Sequence, residues 1–225
     1  IDRGDESIMR LARYDQDGRS AIGVLEDGVV RELVVPESET DMPPIARAAL
    51  TDGIDETGIE HAREEVRLKA PVSRPGKIVC LGLNYAEHAD RGGNEIPETP
   101  LLFSKPSSAV IGPEDPIVFP SDIEQLDHEC ELAIVIGREG RRIDSEEALS
   151  HVAGYTAFND VSARDVQYRY SQYFRGKGYD TFAPIGPAMT TRDAIDPGEL
   201  SIRTLVNGDV RQDSSTADLI FPVRE

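Results

Sequence analysis

Short apolar runs, broken at intervals by Gly, Pro and polar clusters, set the rhythm of this chain and predict a strand-rich protein. "MRLARY", "SAIGVLEDG" and "VVRELVV" read as three short strands, with a glycine turn at "EDG". Residues 41–68 change character: "PPIARAAL" and "IEHAREEVR" predict two helical pieces separated by "TDGIDETG". "LKAPVSRPGK", with two prolines and a glycine among polar residues, predicts a linker and a domain boundary near Arg74. From Lys77 onward, "KIVCLGLNY", "LLFSKPSSAV", "PIVFP", "ELAIVIG", "HVAGYTAFND", "PIGPAMT" and "LSIRTLVNGDVRQ" all read as strands, the last with a hairpin turn at "NGD". "AEHADRGGNEIPETP" has the composition of a mobile loop or short helix. Helices are otherwise expected only at "DSEEALSH", capped by Asp144 or Ser145, and at "SARDVQYRYSQ". The expected architecture is α+β around a mixed β-sheet core, with a small N-terminal domain over residues 9–70 and a larger domain over 77–225. Residues before Met9 read as an upstream extension without a structural role.

Charge narrows the function classes. The chain carries 42 Asp plus Glu against 24 Lys plus Arg, a formal net charge of −18, so nucleic acid and anionic membrane surfaces are disfavoured partners. The acids are dispersed rather than gathered in a tail, and lysine occurs only at positions 69, 77, 105 and 177. That surface suits a salt-rich cytosol, where screening relieves self-repulsion, and gives the expectation of a halophilic host. No apolar stretch reaches the length of a membrane span, and "IDRGDES" lacks the basic start and apolar core of a secretory signal. Cys80 and Cys130 lie in apolar runs and read as buried free thiols. A cytoplasmic protein is expected.

The chemistry concentrates in "LDHECELAIVIG". On a strand, Glu129 and Glu131 project to one face and Cys130 to the other. Two neighbouring carboxylates repel, and one takes up a proton unless a cation sits between them. An all-oxygen ligand set selects Mg²⁺, Mn²⁺ or Ca²⁺ rather than zinc. The competing reading is a solvated edge of an acid-rich protein. Asp160 ends "GYTAFND", either as a strand-end site residue or as the N-cap of the following helix. His88, in the polar loop after a strand, is either a general base or a surface histidine. Lys177 stands between two glycines in a chain almost without lysine, where arginine cannot replace a compact ammonium. His128 should point away from the carboxylates, and His61 and His151 have helix-end or surface explanations. The absence of G-x-S-x-G, Walker, dinucleotide and zinc-spacing motifs removes serine hydrolase, NTPase and dehydrogenase readings.

In order along the chain, "GLNYAEH", "LLFSKPSSAVIGP", "HECELAIVIG", "GYTAFNDVSARDVQ" and "KGYDTFAPIGP" resemble the fumarylacetoacetate hydrolase family, over Lys77 to Arg211. Residues 9–70 resemble the small N-terminal domain of many short members. The resemblance implies a β-rich roll or sandwich in which Glu129, Glu131 and Asp160 hold Mg²⁺ or Mn²⁺, with Ca²⁺ as a substitute in crystals. It implies His88 as the base, Arg164, Gln167 and Lys177 as substrate contacts, and Thr181 near a pocket-lining position. The implied activity is metal-dependent cleavage of a C–C bond in a 2-oxo acid, of the acylpyruvate or fumarylacetoacetate type, by a homodimer. His88 would then also activate a water, and closure of residues 86–98 would exclude bulk solvent.

Two departures from the family pattern bear on this. Many hydrolytic members carry a glutamate three residues after the histidine; here Arg91 stands there, with Asp90 or Glu95 as substitutes. A 2-oxo-dioate decarboxylase or isomerase of aromatic catabolism, which needs no water nucleophile, gains ground accordingly, and a sugar-acid dehydratase is a third family chemistry. The sequence also stops at "STADLIFPVRE", where family members continue into further strands and a T-G-T-P segment. The expectation is a fold lacking its C-terminal part, with open sheet edges prone to aggregation. Both departures also motivate a non-enzyme alternative, a metal-binding relative without turnover.

Overall fold

Turn chemistry sets the first strands. Asp17–Gly18 and Asp27–Gly28 all have positive φ (49° and 80°, 49° and 77°), the backbone of two-residue hairpin turns that glycine adopts without penalty. They fix the register Gln16↔Arg19 and Glu26↔Val29. The computed structural model describes residues 9–35, 43–50, 54–86 and 95–225. Three strands follow from these turns: β1 (Arg10–Gln16), β2 (Arg19–Glu26) and β3 (Val29–Leu33). Helix α1 (Pro44–Leu50) is the expected "PPIARAAL" segment, with proline at its first position, where a missing N–H costs nothing.

The second helical piece is corrected. "IEHAREEVR" gives the end of β4 (Glu56–Ala62), one 3₁₀ turn at Arg63–Glu65 and the start of β5 (Arg67–Lys69). The free edge of β3 captures it, pairing Val29 with Ala62, Val30 with His61 and Arg31 with Glu60. A tertiary ladder overrides the helix preference of Glu, Ala and Arg.

The rest of the chain supplies β6 (Ile78–Gly82), β7 (Leu101–Lys105), β8 (Val110–Ile111), β9 (Leu126–Asp127), β10 (Cys130–Ile136), β11 (Val152–Asn159) and β12 (Ser162–Ala163). Helices α2 (Arg164–Arg169) and α3 (Phe174–Lys177) follow, then β13 (Ala183–Pro184), β14 (Met189–Thr191), β15 (Ser201–Val206) and β16 (Asp209–Ser215). Two further expectations fail. "PIVFP" forms no strand, because the Val118 N–H is taken by the Thr181 hydroxyl (2.9 Å) rather than by a neighbouring strand. "DSEEALSH" forms turns and a 3₁₀ helix, Ala148–His151, whose N-cap is Glu147 without a side-chain cap.

Eight strands form one sheet in the order β10-β11-β14-β1-β2-β3-β4, with β5 paired to β1. All its pairings are antiparallel; the parallel pairing among the described strands is β8 with β13. One edge of β1 is shared, its start lying against β14 and its later half against β5. The sheet thus runs unbroken from the first seventy residues into the strands that carry the acids. Its main core joins Leu11, Val24 and Leu33 to Ile45 and Ala46 of α1 and to Val135, Ala153 and Met189. A smaller cluster, Ile123, Val161, Ala163, Val166 and Phe182, lies around the α2 end of the site. No helix among the described residues is long and apolar enough to cross a membrane.

Candidate active site

The acid pair sits where an edge strand begins. In the β10–β11 ladder Cys130 lies opposite Asn159 and Glu131 opposite Phe158. One residue earlier, the Glu129 N–H donates to Asn159 Oδ1 (3.0 Å) and the Glu129 carbonyl accepts from the Asp160 N–H (2.8 Å). The start of β10 is therefore pinned to the end of β11, bringing Glu129, Glu131 and Asp160 into one neighbourhood. The Cys130 thiol lies on the opposite face, as the strand period requires, beside Thr204 and Arg203 of β15.

Asp160 does not cap α2. The N-cap is Ala163, without a side-chain cap, and the Asp160 carboxylate is 4% exposed and held by two ammonium groups. Lys177 Nζ reaches Asp160 Oδ2 (2.7 Å), Glu129 Oε2 (2.9 Å) and Ser162 Oγ (2.8 Å), while lying 5.0 Å from the Phe103 ring centroid. Lys105 Nζ, from the end of β7, reaches Asp160 Oδ1 (2.6 Å) and the Val161 carbonyl (3.0 Å). Burial pulls the Lys105 amine below the usual lysine range, and Asp160 opposes that shift. Arg164 completes the ring of cations, with Nη1 2.5 Å from Glu129 Oε1 and 2.9 Å from Gln167 Oε1, and Nε 2.8 Å from Asp127 Oδ2.

Glu131 is the exception. It makes no hydrogen bond or ion pair among the described residues. Burial, and after it the charges of Glu129 and Asp160, push its carboxyl up to about 8, with Lys177 pulling the other way. The Tyr85 hydroxyl is buried without a hydrogen-bond partner, and the negative charge of Glu131 adds to the burial that raises it.

Of the residues expected at the site, Glu129, Asp160, Arg164, Gln167 and Lys177 form one hydrogen-bonded cluster, and Glu131 interacts with it through charge. Thr181 does not join: its hydroxyl accepts from the Val118 N–H, at a backbone φ of 70°. His88, Asp90 and Arg91 lie outside the described residues; Glu95 is exposed. His61 is on β4, edge-on to the Tyr14 ring at 5.7 Å, rather than at a helix end. Both cysteines are free, but only partly buried. Lys105, Ser162 and Asp127 were not expected. Lys105 carries a signal in hindsight, since it is one of four lysines and ends an apolar strand.

An oxygen-only donor set suits a hard divalent ion, and a desolvated, unpaired Glu131 is the group such an ion would satisfy. The Glu129 and Asp160 oxygens each accept from a cation, and Glu129 Oε1 also from the Ser162 hydroxyl (3.3 Å), while Glu129 Oε2 and both Asp160 oxygens keep a second lone pair. Among the described residues, however, no three acids are drawn closely enough together to grip one ion. Lys177 bridges Glu129 and Asp160, so ligation by all three acids requires side-chain shifts.

A model of the fumarylacetoacetate (FAA) hydrolase C-terminal domain matches residues 77–225, and one of an Rv2993c-like N-terminal domain matches residues 9–71. Oxaloacetate tautomerase FAHD2A, mitochondrial, from Bos taurus is 46% identical over 166 residues, covering 72% of this chain and 53% of that protein. The chain spans about half the length of the curated relatives it matches. The crystal structure of 5-carboxymethyl-2-hydroxymuconate delta-isomerase from Mycobacterium smegmatis superposes with a TM-score of 0.81 at 39% identity, covering 96% of this chain and 79% of its own. Maleylpyruvate hydrolase from Sphingobium sp. SYK-6, in complex with manganese(II) and pyruvate, superposes with a TM-score of 0.75 at 31% identity, covering 96% and 80%.

Proposed function

The chain belongs to the fumarylacetoacetate hydrolase family, and from that premise we propose a divalent-metal-dependent enzyme that forms and reprotonates the enolate of a 2-oxo acid, a tautomerase or isomerase of a 2-oxo-dioate. The observation that carries the reading is Glu131, a half-buried carboxyl beside two further acids, with its proton held up to about 8 and no ion pair among the described residues. Glu129, Glu131 and Asp160 would hold Mg²⁺ or Mn²⁺. When bound, the ion supplies Lewis-acid polarisation of the 2-oxo carbonyl and offsets the charge that develops on its oxygen.

The protein's own groups do the remaining work. Arg164, oriented by Gln167 and Asp127, and Lys177 concentrate positive charge where an anionic substrate must enter a protein of net charge −18. His88 moves the proton at the carbon next to the carbonyl. Arg91, standing where many hydrolytic members carry a glutamate, supports chemistry that needs no activated water. So does the relative named as an oxaloacetate tautomerase. C–C hydrolysis is the second reading, favoured by the likeness to maleylpyruvate hydrolase. A homodimer is part of the proposal, supported by exposed Val79 and Leu102 on the β6–β7 hairpin.

Ultraviolet decay of the enol form of oxaloacetate and related 2-oxo-dioates tests it. Acceleration that requires Mg²⁺ or Mn²⁺, with substrate carbon count unchanged, is expected. Release of two fragments, with ¹⁸O from water in the newly formed carboxylate of one, would establish hydrolysis instead. No ion-dependent turnover across the panel would overturn the enzymatic reading.

A further inference from the structure

β10 is the last strand of the main sheet, so one of its sides is paired with no other strand among the described residues. Because Glu129 turns its backbone toward β11, the peptide groups of Cys130 face outward on that free side. There they meet the side chain of Gln212 from β16. Gln212 Oε1 accepts from the Cys130 N–H (2.8 Å), and Gln212 Nε2 donates to the Cys130 carbonyl (2.8 Å), across 82 residues of sequence. The carboxamide thus stands in for the missing strand at a single residue, the one between the two glutamates. Thr204 on β15 steadies it, its hydroxyl lying 3.2 Å from Gln212 Oε1.

We propose that Gln212 is a positioning residue for the acid pair: by clamping the peptide groups of Cys130, it fixes the direction in which Glu129 and Glu131 project and so sets the affinity of the site for its divalent ion. The inference rests on the metal reading above. Glu129 is tied from outside by Arg164 and Lys177, but Glu131 has no side-chain partner among the described residues to orient it. Its aim depends on the backbone on either side of it, and Gln212 grips the residue just before it. A free edge with unsatisfied peptide groups would twist or open more readily, and the carboxyl would follow.

Gln212→Leu keeps the bulk of the side chain and removes both hydrogen bonds. Mn²⁺ titration followed by electron paramagnetic resonance should show affinity about 10- to 100-fold weaker than wild type, the range for losing a residue that orients a ligand. Thr204→Val should weaken it roughly two- to fivefold, one supporting hydrogen bond's worth. Amide hydrogen exchange at Cys130 should accelerate in Gln212→Leu, with or without Mn²⁺. Val210→Ala, an exposed change on the same strand, should leave Mn²⁺ affinity at the wild-type value. Wild-type protein that binds no Mn²⁺ overturns the metal reading, and this inference with it. Wild-type binding matched by Gln212→Leu, with unchanged exchange at Cys130, overturns this inference alone. If Gln212→Leu does not fold, Thr204→Val decides: Mn²⁺ affinity equal to wild type overturns the inference.

Discussion

Glu32, fully buried, and Glu131, half-buried, lie on strands of one sheet, and the protein treats them in opposite ways. Glu32, 2% exposed, receives Arg19 through two hydrogen bonds of 2.7 Å each and the Tyr14 hydroxyl at 2.9 Å. The Arg19 hydrogen bonds hold its carboxyl below the usual glutamate range against the cost of burial, and Tyr14 assists. Glu131 receives no such partner and is pushed up to about 8. The chain can build a fully satisfied acid, as Glu32 demonstrates. Leaving Glu131 unsatisfied next to two other acids is the contrast behind the proposal of a cation from outside.

The largest effect that would break this contrast is on turnover. Glu131→Ala or Lys177→Ala should lower kcat/KM by about 10³-fold, the scale of removing a group that stabilises developing charge. Arg19→Ala should leave kcat/KM near wild type while lowering thermal stability. Steady-state kinetics on whichever 2-oxo acid is turned over checks both, and a Glu131 variant with full activity would erase the distinction.

The pH response sharpens it, because the two acids act with opposite sign. Glu131 holds its proton more tightly in the folded protein than the usual 4.5, so metal-free protein loses stability as pH rises from about 4.5 to 8, by up to a few kcal/mol. Glu131→Gln should remove that loss: equal to wild type at pH 4, more stable than metal-free wild type at pH 9. Excess Mn²⁺ should restore the wild type alone. Glu32 is depressed, so its contribution is present at neutral pH and is lost as pH falls below 4.5. Denaturant melts across pH 3 to 9 separate the two slopes. The smallest effect belongs to Tyr14→Phe, which leaves Arg19 in place and should cost about 1 kcal/mol in the same melts.

What the sequence disclosed follows how local each cause is. Asp17–Gly18, Asp27–Gly28 and Asn207–Gly208 announce their hairpins through residues that accept positive φ, so β1–β3 and β15–β16 are legible. The same-face projection of Glu129 and Glu131 is a property of one strand, and the motif resemblance places Asp160, Arg164, Gln167 and Lys177 beside it. "IEHAREEVR" misleads because its strand state depends on the free edge of β3, set far away in sequence. Lys105 and Gln212 escape for the same reason: each acts across more than fifty residues, on Asp160 and on Cys130. Thr181 was expected near the pocket, yet its hydroxyl holds the backbone of Val118, a contact that only the folded chain reveals.

The most direct test of the central claim is an anomalous difference map at the manganese edge from crystals grown with Mn²⁺. One peak is expected, with oxygens of Glu131, Glu129 and Asp160 at about 2.0–2.2 Å, close to the spacing for a hard divalent ion, and Lys177 moved off its bridge. No peak at that place, with Glu131 protonated and Lys177 still spanning Glu129 and Asp160, would contradict it.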